Sequence, residues 1–300
     1  MASTLNMEDI HMNQLKPGDK VFHPNKREWG LGKVLGIGED RIDVFFVGAG
    51  NKQLSTNYVT LELAEASEAS HPLLDNLTAA SQEKGSNFIS LPEAIQKFLS
   101  AFPGGFEGSR FHSEEREYKV AAHELCLKLL AENEFDCLLG ASDYATICER
   151  ARRIESATNL LASFEKIKFN DALKNPLHQK RFAVGLCDLL YSKEDASTQF
   201  SRFAQTLTEM EIAKWPIATY FGFVRFPEHR IFIKPEVTQK AAALCCWEIN
   251  YQSELNWRTY SGAQSLYHYM REQLVRAGLN PRDMIDVQSF VWCTSHSQIQ

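Results

Sequence analysis

Residues 15–63 read LKPGDKVFHPNKREWGLGKVLGIGEDRIDVFFVGAGNKQLSTNYVTLEL, and this stretch decides the fold of the N-terminus. Lys16-Pro17-Gly18-Asp19 is a turn sequence: proline presets φ at one central position and glycine accepts the positive φ that a type II turn needs at the next. Lys20-Val21-Phe22-His23 then enters a strand, and Pro24 to Glu28 forms a polar tip. Two glycines in Trp29-Gly30-Leu31-Gly32 indicate a bulge or sharp bend. Further strands are expected at Lys33–Ile37, Arg41–Val47 and Lys52–Leu54, separated by Gly38-Glu39-Asp40 and Gly48-Ala49-Gly50-Asn51, with VTLEL closing the module. Short strands bounded by glycine turns predict a small barrel. In the third strand Ile42, Val44 and Phe46 face one core, while Arg41, Asp43 and Phe45 face the other way, which leaves Phe45 as a large aromatic directed outward.

Working outward, the pattern changes. Residues 64–87 are rich in Ala, Ser, Asn and Gln and carry a proline stop at Pro72, so they read as a linker in which Leu73, Leu74 and Leu77 are able to dock. Helical spacing follows. Ser90 with Pro92 predicts a helix start, running to about Phe102. Ser113 is expected to cap a long helix to Ala131, and apolar spacing predicts another over Ser142–Phe164. Pro176–Tyr191, Asp195–Met210, Pro235 through Ala243, Thr259–Ala277 and a last helix from Pro281, capped by Asn280, complete the series. Ile217–Phe226 looks less regular, and Phe232–Pro235 extended. The expected class is α+β: a small SH3/Tudor-like barrel over 1–64, a linker over 65–89 and a larger, mainly helical domain over 90–300.

Composition bounds the function. The 300 residues are 44% hydrophobic and 23% charged, with a formal net charge of -6, which suits a protein with a substantial core and disfavours a general nucleic-acid or membrane-surface binder. No apolar run approaches the roughly 18 residues of a membrane span. MASTLNMEDIHMNQ lacks a basic start and an apolar core, so no secretory signal is expected. Seven cysteines at 126, 137, 148, 187, 245, 246 and 293 show no CxxC and no Cys-His pairing. Buried thiols in a reducing cytoplasm are the expectation, with no metal and no cofactor.

The order GDKVFHP, WGLGKVLGI, RIDVFFVGAGNKQLS and VTLEL resembles the Tudor-like module at the C-terminal end of UvrD/PcrA-type helicases, and more distantly the RNA-polymerase-interacting modules of CarD-like factors. That resemblance implies docking on RNA polymerase, on a repair complex or on nucleic acid. The tip Asn25–Glu28 is longer and more charged than the family's, and no helicase motor accompanies it. Charge chooses among these partners: residues 1–64 hold seven Lys/Arg against eight Asp/Glu. Phosphate-backbone affinity needs clustered cations, so a protein partner is favoured over nucleic acid, and no membrane is expected. Trp29 and Phe45 are the expected anchors, with Lys26 and Arg27 at the rim.

After residue 110, Trp215-Pro216-Ile217-Ala218-Thr219-Tyr220, Phe232-Ile233-Lys234-Pro235, Asn256-Trp257 with Thr259-Tyr260, and Pro281 to Trp292 resemble a run shared by uncharacterised prokaryotic proteins, some associated with defence or restriction loci. The resemblance implies no catalytic residues. Two clusters have chemical character. Arg110 to Tyr118 with His123 and Glu124 holds histidines and acids, but their spacing matches no zinc signature, and acids suit a helix start. Lys234, Arg258, Arg282 and Asp286, near Trp257, Tyr260 and Trp292, form the possible ligand groove. The chain contains no GxxxxGK[ST], GxSxG or HExxH. The leading expectation is therefore a non-enzymatic cytoplasmic adaptor docking on a protein of the transcription or DNA-repair machinery. The alternatives are an enzyme or nuclease-like subunit of a defence system, and a direct nucleic-acid-binding protein.

Overall fold

The computed structural model describes residues 15–47, 49–65, 68–69, 71–75, 77, 91–245 and 247–295. The chain divides into two compact units, Met1–Phe88 with Ala243–Glu248, and Ile89–Ala242 with Ile249–Gln300.

The first unit is a five-stranded antiparallel sheet of β1 (Lys20–Phe22), β2 (Gly32–Ile37), β3 (Arg41–Phe46), β4 (Gly50–Ser55) and β5 (Glu62–Leu63), in the order β4-β3-β2-β1-β5. Gly18 enters it at φ +100°, the left-handed conformation the turn sequence requires. The expected closed barrel is corrected. Hydrogen bonding stops at β4 on one side and at the two-residue β5 on the other, so the sheet is open. One face carries the predicted alternating core, with Val21, Val34, Ile42, Val44, Phe46 and Leu61 packed together. Gly32 belongs to this packing, since a Cβ there would lie 2.7 Å from the Phe46 ring and 2.9 Å from Val44. The register slips between Val34 and Gly36, a bulge that adds one residue to β2.

Phe45 is also corrected: it is 1% exposed rather than outward-facing. Its cross-strand partner on the same face is Lys33, and Lys33 Nζ donates to the carbonyl oxygens of Leu74 (3.1 Å) and Leu77. Lys20, which pairs with Lys33 across β1 and β2, reaches Asp75 at 2.8 Å. Part of the expected linker, α1 (Pro72–Asp75) with Leu77, thus covers this face, burying Leu74 and Leu77. Leu77 bridges Trp247, which draws residues 243–248 into the first unit. Most of the remaining linker, and Ser90 with its expected cap, lie outside the described residues.

The second unit is helical: α2 (Leu91–Ala101), α3 (Ser109–Phe111), α4 (Glu117–Leu129), α5 (Glu132–Gly140), α6 (Tyr144–Ser156), α7 (Ser163–Ala172), α8 (Pro176–Tyr191), α9 (Ala196–Glu209), α10 (Trp215–Arg225), α11 (Pro235–Leu244), α12 (Trp257–Arg276) and α13 (Met284–Ser295). Several starts follow from their caps. Asp143, Asn175, Asp195 and Asn256 each accept a backbone N–H from the first turn that follows. Ser113 does not cap a helix. The helical run begins at Ser109, and Ser113 Oγ donates back to the Arg110 carbonyl at 3.2 Å. The helix expected over 142–164 stops at Ser156 and resumes as α7.

Residues 217–226, expected to be irregular, belong to α10, in which every residue from Trp215 to Val224 is buried. A helix buried all round shows no amphipathic period, which explains the misreading. The core is strongly aromatic: the Phe98 ring lies 5.0 to 5.7 Å from those of Phe102, Phe106, Phe111 and Phe290, which locks α2 to α13.

Candidate functional site

Two places carry the residues singled out by the sequence, one in each unit. In the first, the polar tip Pro24–Glu28 runs into a single 3-10 turn over Arg27–Trp29. Lys26 and Arg27 are exposed. Lys26 Nζ stands 3.7 Å from Glu28, while the Arg27 guanidinium pairs with Glu62 and lies 4.8 Å over the Phe22 ring. Trp29 is half-buried, edge-on to His23 at 4.9 Å and to Phe46 at 5.3 Å, so one side of its ring belongs to the core. Lys52 of β4 places its ammonium 5.4 Å from the same indole. The tip and the edge strand β4 therefore adjoin through Trp29. Phe45, by contrast, takes no part in this surface.

In the second unit Arg282 and Asp286 pair with each other, while Lys234 lies over Trp292. Asp286, expected to stay polar-facing and open to a ligand, is 0% exposed, and its oxygens are fully used. Its Oδ1 accepts from Arg116 Nη1 at 2.8 Å, and Oδ2 accepts from the Arg282 backbone N–H at 2.9 Å and Nε at 3.0 Å. Arg116 also clamps Asp283 through two bonds of 2.8 and 2.7 Å. Asp283 Oδ1 in turn accepts from the backbone N–H groups of Ile285 and Asp286, so α13 starts at Met284, three residues later than Asn280 and Pro281 implied. Arg282 Nη2 donates to the Phe106 carbonyl at 2.7 Å.

A π-helical turn, His112–Arg116, joins α3 to α4 and precedes the next polar contact. Lys119, 2% exposed, donates to Ser289 Oγ at 2.7 Å and to Glu115 at 3.2 Å. Burial pushes the Lys119 ammonium below its ordinary value, with Glu115 opposing it. Burial also opposes charge on Arg116, but bonding to Asp283 and the charges of Asp286 and Asp283 outweigh it and hold the guanidinium above its ordinary value. Arg116 and Arg282 balance Asp283 and Asp286, a closed arrangement that ties α13 to the Ser109–Leu129 run and leaves Asp286 no free oxygen for a substrate.

Lys234 and Arg258 make other contacts. The Lys234 ammonium lies 4.4 Å over the Trp292 ring, with its pKa lowered by burial, and Arg258 is exposed in the first turn of α12. Two surface depressions, of about 440 and 280 Å³, are lined by His268, Arg271, Glu272, Val275 and Arg276, and by α9 residues with Leu255 and Asn256. Neither is lined by the groove residues. Among the described residues no cluster of His, Cys, Asp and Glu has metal-holding geometry, and no helix is long and apolar enough to cross a membrane. Sequence reading missed Arg116, Lys119 and Ser289 as partners. The signal was present: Arg116 and Lys119 are three apart, as are Asp283, Asp286 and Ser289, which makes two complementary helix stripes.

Residues 15–64 match a family model described as a protein of unknown function (DUF3553). No curated protein and no solved structure matches the chain.

Proposed function

We propose that the chain is a non-enzymatic adaptor whose N-terminal sheet unit docks on a protein of the transcription or DNA-repair machinery. The observation that carries this reading is the open edge: β4 is the terminal strand of the sheet, and each of its residues from Gly50 to Ser55 is at least partly exposed. A terminal strand offers backbone donors and acceptors for the addition of a partner's strand. The polar tip, with Lys26 and Arg27 exposed, adjoins this edge through Trp29 and supplies side-chain contacts beside the backbone ones. Near-neutral charge over residues 1–64 favours a protein over a phosphate backbone. The ordered likeness to the Tudor-like module of UvrD/PcrA-type helicases and to CarD-like modules supports RNA polymerase or a repair complex as the partner class.

The test is affinity capture with the full chain from nuclease-treated extract, with the retained proteins identified. Retention of a transcription or repair protein, lost on Lys26→Glu with Arg27→Glu, is the expected outcome. Retention of nucleic acid alone, weakening steeply with salt, would replace the proposal with direct nucleic-acid binding.

A further inference from the structure

The sheet has two faces, and its own module fills only one of them. Val21, Val34, Ile42, Val44, Phe46 and Leu61 pack together on the first. The second carries a row that crosses four strands: Lys20 lies opposite Lys33, Lys33 opposite Phe45, and Phe45 opposite Asn51. Directly paired residues of antiparallel strands point to the same side, so these four side chains share that face.

The cover of this row comes from outside the module. It is the strap of α1 with Leu77, which lies beyond residues 15–64, the stretch that the family model matches. Leu74 and Leu77 are buried, Lys33 Nζ donates to the carbonyl oxygens of both, and Asp75, half exposed, pairs with Lys20 at 2.8 Å. A helix of four residues has no stability of its own, because nucleation costs more than so few backbone bonds return. The strap is therefore held by what it touches: the leucine packing, the two lysines and the bridge from Leu77 to Trp247.

Its fit is incomplete at one end of the row. Asn51 Oδ1 is buried and has no hydrogen-bond partner among the described residues. An unmet buried acceptor is a cost that a better-matched occupant removes.

We propose that this row is a docking site for a short helical turn of a partner protein, and that the strap occupies it in cis as an autoinhibitory contact. The occupant has the strap's own chemistry, two leucines three apart with an aspartate between them, as in Leu74, Asp75 and Leu77. It adds a side-chain donor for Asn51, about 4.8 Å, one strand spacing, from the group that covers Phe45. That added bond is what lets it displace the strap, and Lys20 with Lys33 select an acidic turn over a basic one. The inference rests on the sheet unit being a docking module, though through its second face rather than the β4 edge.

Fluorescence anisotropy with the full chain tests it, the probe being a labelled peptide of residues 69–80, ASHPLLDNLTAA. In the parent the strap competes in cis at an effective concentration on the order of millimolar. The peptide should therefore bind about tenfold or more tightly to a Leu74→Asp, Leu77→Asp variant, whose own strap cannot seat, than to the parent. Should that variant fail to fold, as judged by circular dichroism, Asp75→Lys decides: it breaks the half-exposed pair with Lys20, leaves the leucines in place, and should raise affinity about threefold. Adding Lys33→Met to either variant should abolish the gain. Equal binding to parent and loosened variants, no binding to a folded loosened variant, or indifference to Lys33→Met would overturn the proposal. No captured protein enters this assay, so its failure is distinguishable from failure of the affinity capture.

Discussion

At the scale of single residues, Asp286 shows how a candidate ligand group becomes structural. Buried beside two arginines, it pairs with both, and removing it would leave Arg116, whose side chain is 11% exposed, with Asp283 as its remaining carboxylate among the described residues. Asp286→Ala is expected to cost about 3–5 kcal/mol in urea unfolding, as breaking a buried pair does, whereas Arg258→Ala at an exposed position should stay within about 0.5 kcal/mol. Equal small losses would mean that the network contributes nothing. Thiols offer a second check. Burial raises Cys126, Cys148 and Cys293 to about 12, whereas Cys137 is exposed. A disulfide reagent at pH 8 should modify Cys137 before these three, since roughly one part in ten thousand of each buried thiol is thiolate at that pH. Peptide mapping that finds Cys126 or Cys148 labelled as fast as Cys137 would contradict their burial.

At the scale of elements, Gly32 and α13 carry the expectations. Any Cβ at Gly32 must displace the Phe46 ring, so Gly32→Ala should lower stability by about 1–3 kcal/mol, the usual cost of overpacking. An unchanged melting temperature would show that the sheet core yields. Met284 to Val291 are all buried, and Phe290 packs on Phe98, so truncation before Pro281 should give insoluble protein. Soluble protein of unchanged melting temperature would make α13 dispensable. The sequence made α8, α9 and α12 legible because caps and apolar stripes agree there. It misread α10, whose residues are apolar on every side, and Ser113, because the π turn before α4 leaves no local signature. The place of Phe45 was hidden for another reason: alternation tells which residues share a face, not whether a distant segment such as Leu74 to Leu77 covers it.

At the scale of the whole molecule, the candidate groove was half legible. The sequence singled out Arg282 and Asp286 as neighbours one helical turn apart, and the structure pairs them at 3.0 Å. It could not show that Arg116, some 170 positions earlier, closes the site, because long-range pairing leaves no mark in local spacing. What remains open to a partner in the first unit is the tip and edge of the sheet. The central claim, docking through the N-terminal unit, is tested most directly by comparing capture by the full chain with capture by the Lys26→Glu, Arg27→Glu variant, melting temperatures being measured in parallel. The account predicts that the variant melts as the parent does and loses about tenfold or more of its affinity for the captured protein, as removal of two rim contacts on a small interface would cause. Capture unchanged by reversing both charges would contradict it.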